Sequence, residues 1–138
     1  MSTTTTLTTI KHFINGVETA GAGDRSQPVY NPATGTVSAQ LRLANRADLD
    51  ATVAAAKAAA EKWGDFSLAK RTAVLFKFRE LVASHVDELA ALVTAEHGKV
   101  ISDAKGEIGR GLEVIEFACG IPTLLKGEYS DQVSTGID

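Results

Sequence analysis

The chain has 138 residues, enough for one hydrophobic core, and 44% of them are hydrophobic. A net charge of −3 at pH 7 offers no basic footprint for nucleic acid or an anionic membrane surface. One cysteine closes no internal disulfide, which points to the cytoplasm, and no stretch approaches the roughly 20 apolar residues of a membrane span.

The opening MSTTTTLTTI, residues 1–10, is rich in threonine and has no basic residue. It is too polar for a signal peptide and lacks the arginines of a transit peptide, so it reads as a disordered tail. Strands are expected between residues 13 and 43. Asn15-Gly16 suits a type I′ turn, because both central residues must take positive φ, and Phe13 and Val17 flank it as a short hairpin. GAGDRSQP, residues 21–28, is a loop. VYNPATGTVSAQLRLA then reads as strand, turn, strand: Asn31-Pro32 opens the turn and Gly35 closes it. Val37, Ala39, Leu41 and Leu43 share one face of the second strand.

From Asn45 the apolar period becomes helical. Asn45 caps a first helix over about 46–63, with Asp48 placed to favour the free N–H groups and the positive end of the dipole. Leu49, Val53, Ala56, Ala60 and Trp63 follow the spacing, and Gly64 ends it. A second helix, 67–84, opens at Ser67 and aligns Val74, Leu75, Phe78, Leu81 and Val82. A third, 86–97, carries Val86, Leu89, Ala90 and Val93 and stops at Gly98. A fourth, 102–120, precedes Pro122, and GEYSDQVS (127–134) is a candidate final strand. The fold class is therefore α+β: short strands, a four-helix cluster and that possible strand. Strands do not alternate with helices, so a self-contained Rossmann domain is not expected.

GAGDRS, residues 21–26, begins like a dinucleotide fingerprint but has Ser26 in place of the third glycine. No helix follows it to hold a pyrophosphate. It reads as a flexible turn, and Gly98 in HGKV reads as a helix stop. His85, His97 and Cys119 match no zinc spacing, so no metal site is expected. Cys119 completes an apolar stripe with Ile108, Leu112 and Ile115 on the fourth helix. It lies near the C-terminal, electronegative end of that helix, so it reads as a core residue and not a nucleophile.

The opposite side of the same helix carries a second stripe: Arg110, Val114, Phe117 and Ile121. A helix apolar on two sides is packed on two sides, and three other helices cover one of them. Arg110 has two readings. It is a surface arginine lying over Phe117 or paired with Glu113 or Glu107, or it is an anion site suited to bidentate capture of a carboxylate.

Residues 11–138 resemble the N-terminal portion of an aldehyde dehydrogenase. FINGV, VYNPATGTVSAQL, DLDATVAAAKAAAEKW and EHGKVISDAKGEI carry the likeness in that order, and RGLEVIEFACG resembles the CoA-acylating methylmalonate-semialdehyde dehydrogenase branch. The resemblance implies an NAD-dependent oxidation of an aldehyde to an acyl-CoA, in valine or inositol catabolism, by the complete enzyme. It also implies that the nicotinamide-binding glycines, the oxyanion-hole asparagine, the general-base glutamate and the nucleophilic cysteine lie beyond Asp138. The chain is accordingly expected to be an inactive fragment with no catalytic residue and no NAD or CoA site of its own. Arg110 is the one substrate-binding residue expected, facing the carboxylate of a semialdehyde. The partners expected are the absent catalytic and cofactor domains. The alternative is a non-catalytic module that forms a homo-oligomer through Val114, Phe117 and Ile121.

Overall fold

The computed structural model describes residues 7–128 and the turn at 135–136. In chain order these residues form β1 (Thr8–Ile10), β2 (His12–Ile14), β3 (Val17–Thr19), β4 (Ser26–Tyr30) and β5 (Val37–Arg42). Then come α1 (Arg46–Gly64), α2 (Leu68–Ser84), α3 (Val86–His97), α4 (Ile101–Cys119) and α5 (Ile121–Leu124). β1, β5 and β4 make one sheet in that order, and β2 pairs with β3 in a separate ribbon. The predicted α+β order stands, with the short α5 added after Gly120.

One expectation fails at the start of the chain. Thr8–Ile10, assigned to the tail, pair in parallel with Ala39–Leu41. Two threonines and an isoleucine favour an extended backbone, and a neighbouring strand supplies their ladder bonds. The rest of the expected tail, and residues 129–134 of the candidate last strand, lie outside the described residues. Gly127 and Glu128 are not in a strand.

The turns follow their chemistry. Asn15 and Gly16 take φ of 52° and 80°, and Ile14 pairs with Val17 across them. At the β4–β5 turn, the Asn31 side-chain oxygen accepts hydrogen bonds from the N–H groups of Ala33 (2.9 Å) and Thr34 (3.3 Å). The N–H of Gly35 donates to the Asn31 carbonyl at 2.8 Å.

At the start of α1 a capping box forms between Asn45 and Asp48. Asp48 does more than cap. Its carboxylate also accepts from the N–H groups of Ala22 (2.7 Å) and Gly23 (3.2 Å), tying the glycine-rich loop to the helix. These backbone donors, Asn45 first and then Ala22, hold the Asp48 carboxyl below the usual carboxylate range. A depressed folded-state pKa contributes stability above the unfolded value and loses it as pH falls through the folded one. The denaturation midpoint of the chain should therefore exceed that of Asp48→Asn near neutral pH. The gap should close from about pH 4 downward; a gap that widens with acid contradicts the assignment.

In the helical half, α4 packs against α2 and α3. Ala90, Ala104, Cys119 and Thr72 are buried, and no large side chain among the described residues is fully so. The packed side of α2 is narrower than its apolar pattern: Leu75 and Val82 are half-buried, while Val74, Phe78 and Leu81 are exposed. Thr72 takes an inward position because its hydroxyl is satisfied by the Leu68 carbonyl at 2.7 Å. α1 has no buried residue, and it meets the cluster through Trp63, which shares an apolar groove with Leu68, Leu75 and Ile121.

Several apolar side chains of the helices stay more than half exposed, among them Leu49, Val53, Val74, Phe78, Val114 and Phe117.

Candidate functional site

α4 reads ISDAKGEIGRGLEVIEFAC. Its inner stripe is observed: Ile108, Leu112 and Ile115 are half-buried and Cys119 is buried as a free thiol, 8% exposed. Two helices cover this stripe, α2 and α3, and not three as the pattern implied. The flanks are pinned by charge. The Nε–H of Arg79 on α2 donates to Glu116 at 2.9 Å, and Lys105 pairs with Asp87 on α3 at 2.6 Å.

The outer stripe is bare. Val114 and Phe117 are each 69% exposed; Ile121, which opens α5, is 39% exposed and lines the groove with Trp63, Leu68 and Leu75. Gly106, Gly109 and Gly111 fall in the same helix, where each glycine costs about 1 kcal/mol relative to alanine. An added Cβ at Gly109 or Gly111 would meet nothing within 4 Å, so no close approach among the described residues requires them. Glycines in such positions suit the close approach of another surface.

Arg110 stands at the N-terminal end of this outer stripe with its side chain 71% exposed. Its Nη2 lies 4.0 Å from Oε1 of Glu107, the outer limit of an ion pair. Glu107 is engaged by Lys99, whose side chain is 18% exposed. The hydrogen bond from Lys99 holds the Glu107 carboxyl below its usual range, helped by the charges of Lys99, Arg110 and His97. The sequence offered Glu107 as a partner for Arg110; it gave no sign that Lys99 would claim it first.

The remaining candidates resolve into structural roles. The N–H groups of Ala22 and Gly23 in the GAGDRS loop are committed to Asp48, so the loop is a tied junction and not a flexible turn. Those two N–H groups are therefore not free to cradle a phosphate. Gly98 ends α3 with φ of 82°. His85 caps α2, with Nδ1 2.8 Å from the Leu81 carbonyl and 2.9 Å from the Ser84 hydroxyl. Among the described residues no three His, Cys, Asp or Glu side chains gather as metal ligands, and no helix is long and apolar enough to cross a membrane.

A profile of the aldehyde dehydrogenase family matches residues 19–137. The chain is 45% identical over 130 residues to malonate-semialdehyde dehydrogenase 2 of Geobacillus thermodenitrificans, covering 94% of this chain and 27% of that protein. A solved structure from Sinorhizobium meliloti 1021, a candidate methylmalonate-semialdehyde dehydrogenase complexed with NAD, superposes with a TM-score of 0.86. It is 44% identical, over 94% of this chain and 26% of that one. A succinate-semialdehyde dehydrogenase from Burkholderia pseudomallei gives a TM-score of 0.81 at 28% identity, over 91% and 26%. The chain thus spans about a quarter of the length of these relatives.

Proposed function

The chain belongs to the aldehyde dehydrogenase family, and we propose that its part in such an enzyme is to present Arg110 to the carboxylate of a semialdehyde. The observation that carries this is the outer face of α4. There a guanidinium whose nearest carboxylate among the described residues, that of Glu107, is 4.0 Å away and engaged by Lys99 heads a stripe continued by exposed Val114 and Phe117. A charged donor fork bordered by apolar side chains becomes selective for carboxylate once a second surface excludes water from it. The relatives' names support the reading, since malonate and methylmalonate semialdehydes carry a carboxylate at the end away from the aldehyde.

On this proposal the complete enzyme is a cytoplasmic, NAD-dependent, CoA-acylating semialdehyde dehydrogenase, and the 138 residues alone are inactive. Cys119 is buried in the helix cluster. Oxidation and CoA acylation are then carried out by polypeptide other than these residues. Mixing the chain with malonate semialdehyde, NAD and CoA should give no NADH; cysteine-dependent turnover overturns the proposal. In an enzyme completed around this segment, Arg110→Ala should raise KM for methylmalonate semialdehyde about 10–100-fold, the worth of a charge-assisted pair. Propanal, which has no carboxylate, should change little. Equal effects on both substrates remove Arg110 from the role.

The exposure of Val114 and Phe117 also favours a second reading, in which the isolated chain associates with itself through this face.

A further inference from the structure

Arg110 owes its freedom to a neighbour. A glutamate three residues before an arginine on an exposed helix face commonly pairs with it. Here the pair is stretched to 4.0 Å, and the oxygen nearest Arg110, Oε1 of Glu107, is the one that Lys99 holds. We propose that Lys99 is a positioning residue for the anion site: by engaging Glu107 it keeps that carboxylate off the Arg110 guanidinium. The inference rests on the reading of Arg110 given above.

The backbone places Lys99 for this. α3 stops at Gly98, and an alanine-like Cβ there would sit 3.4 Å from the Pro32 ring, so the β4–β5 turn buttresses the exit of the helix. Lys99 follows at once, in the three-residue link to α4, and reaches about two turns along α4 to Glu107. Its side chain is the least exposed of the three charged groups, at 18% against 43% for Glu107 and 71% for Arg110. The ammonium gives up water to make this contact, which favours one stable partner over exchange among several. The Arg110 Nη1 lies 4.0 Å from where a Gly106 Cβ would be, so the guanidinium rests over a glycine and is free to turn outward. His97 also bears on Glu107, at longer range and from the end of α3.

The test reads Arg110 directly, by exchange of its side-chain Nε–H with water in the 138-residue chain. In Lys99→Met, Glu107 should swing to Arg110 and slow this exchange about threefold or more. Lys99→Arg, and the double variant Lys99→Met with Glu107→Gln, should return it to the starting rate. Unchanged exchange in Lys99→Met overturns the proposal. Should Lys99→Met fail to fold, Glu107→Gln alone decides. Exchange near the starting rate supports the proposal, and a marked acceleration shows that Glu107 was already the partner of Arg110 and overturns it. In the completed enzyme, Lys99→Met should raise KM for malonate semialdehyde about 3–10-fold, with kcat and the KM for propanal unchanged. Slowed exchange without that rise supports the hold of Lys99 on Glu107 and overturns the substrate role of Arg110.

Discussion

Replacing Gly23 with alanine is expected to cost the chain more than about 3 kcal/mol of folding stability. An ideal Cβ at this position would lie 2.0 Å from the Leu43 carbonyl oxygen and 3.2 Å from its carbon. Both are backbone atoms, so no rotamer change relieves the clash. Either the loop or the strand end must move, and the movement breaks the N–H contacts of Ala22 and Gly23 with Asp48. Gly64 supplies the control: a Cβ there meets nothing within 4 Å, and alanine should stabilise by about 0.4–1 kcal/mol. Urea titrations of the two variants should move in opposite directions. A Gly23→Ala midpoint equal to that of the parent chain refutes the close approach of loop and strand.

Changing both Val114 and Phe117 to glutamate should weaken self-association of the chain by more than about a thousandfold in Kd. Burial of Val114, Phe117 and Ile121 against a second surface is worth on the order of 5 kcal/mol before association costs. Sedimentation should show the parent chain above monomer size at high concentration and the double variant as a monomer. A parent chain that stays monomeric at those concentrations sinks this reading and leaves the face to the rest of a longer enzyme.

The parts of the fold that were legible in the sequence are those decided within a few residues. Asn45 with Asp48, Ser67, Asn15-Gly16 and Gly98 each set a cap or turn through local hydrogen bonds or positive φ, and the helix limits followed. What was not legible depends on distant partners. β1 needs a neighbour found some thirty residues later, so polarity alone made Thr8–Ile10 look like tail. The apolar positions of α1 and α2 gave helical spacing without saying which of them would be covered, and most are not. Arg110 stood out because it interrupts an apolar stripe. The pairing of Lys99 with Glu107 crosses from a link into a helix, where side-chain spacing rules give no guidance.

The parallel pairing of β1 with β5 also imposes a schedule on synthesis. Thr8 leaves the ribosome well before Ala39, its partner, and at about 5–20 residues per second the wait is about 2–6 s. During that interval the nascent strand has no sheet to join. The residues that complete the sheet emerge just ahead of Asp48, whose carboxylate fastens the intervening loop. Sheet closure and helix initiation are thereby drawn into a single step, once about the first third of these 138 residues has emerged.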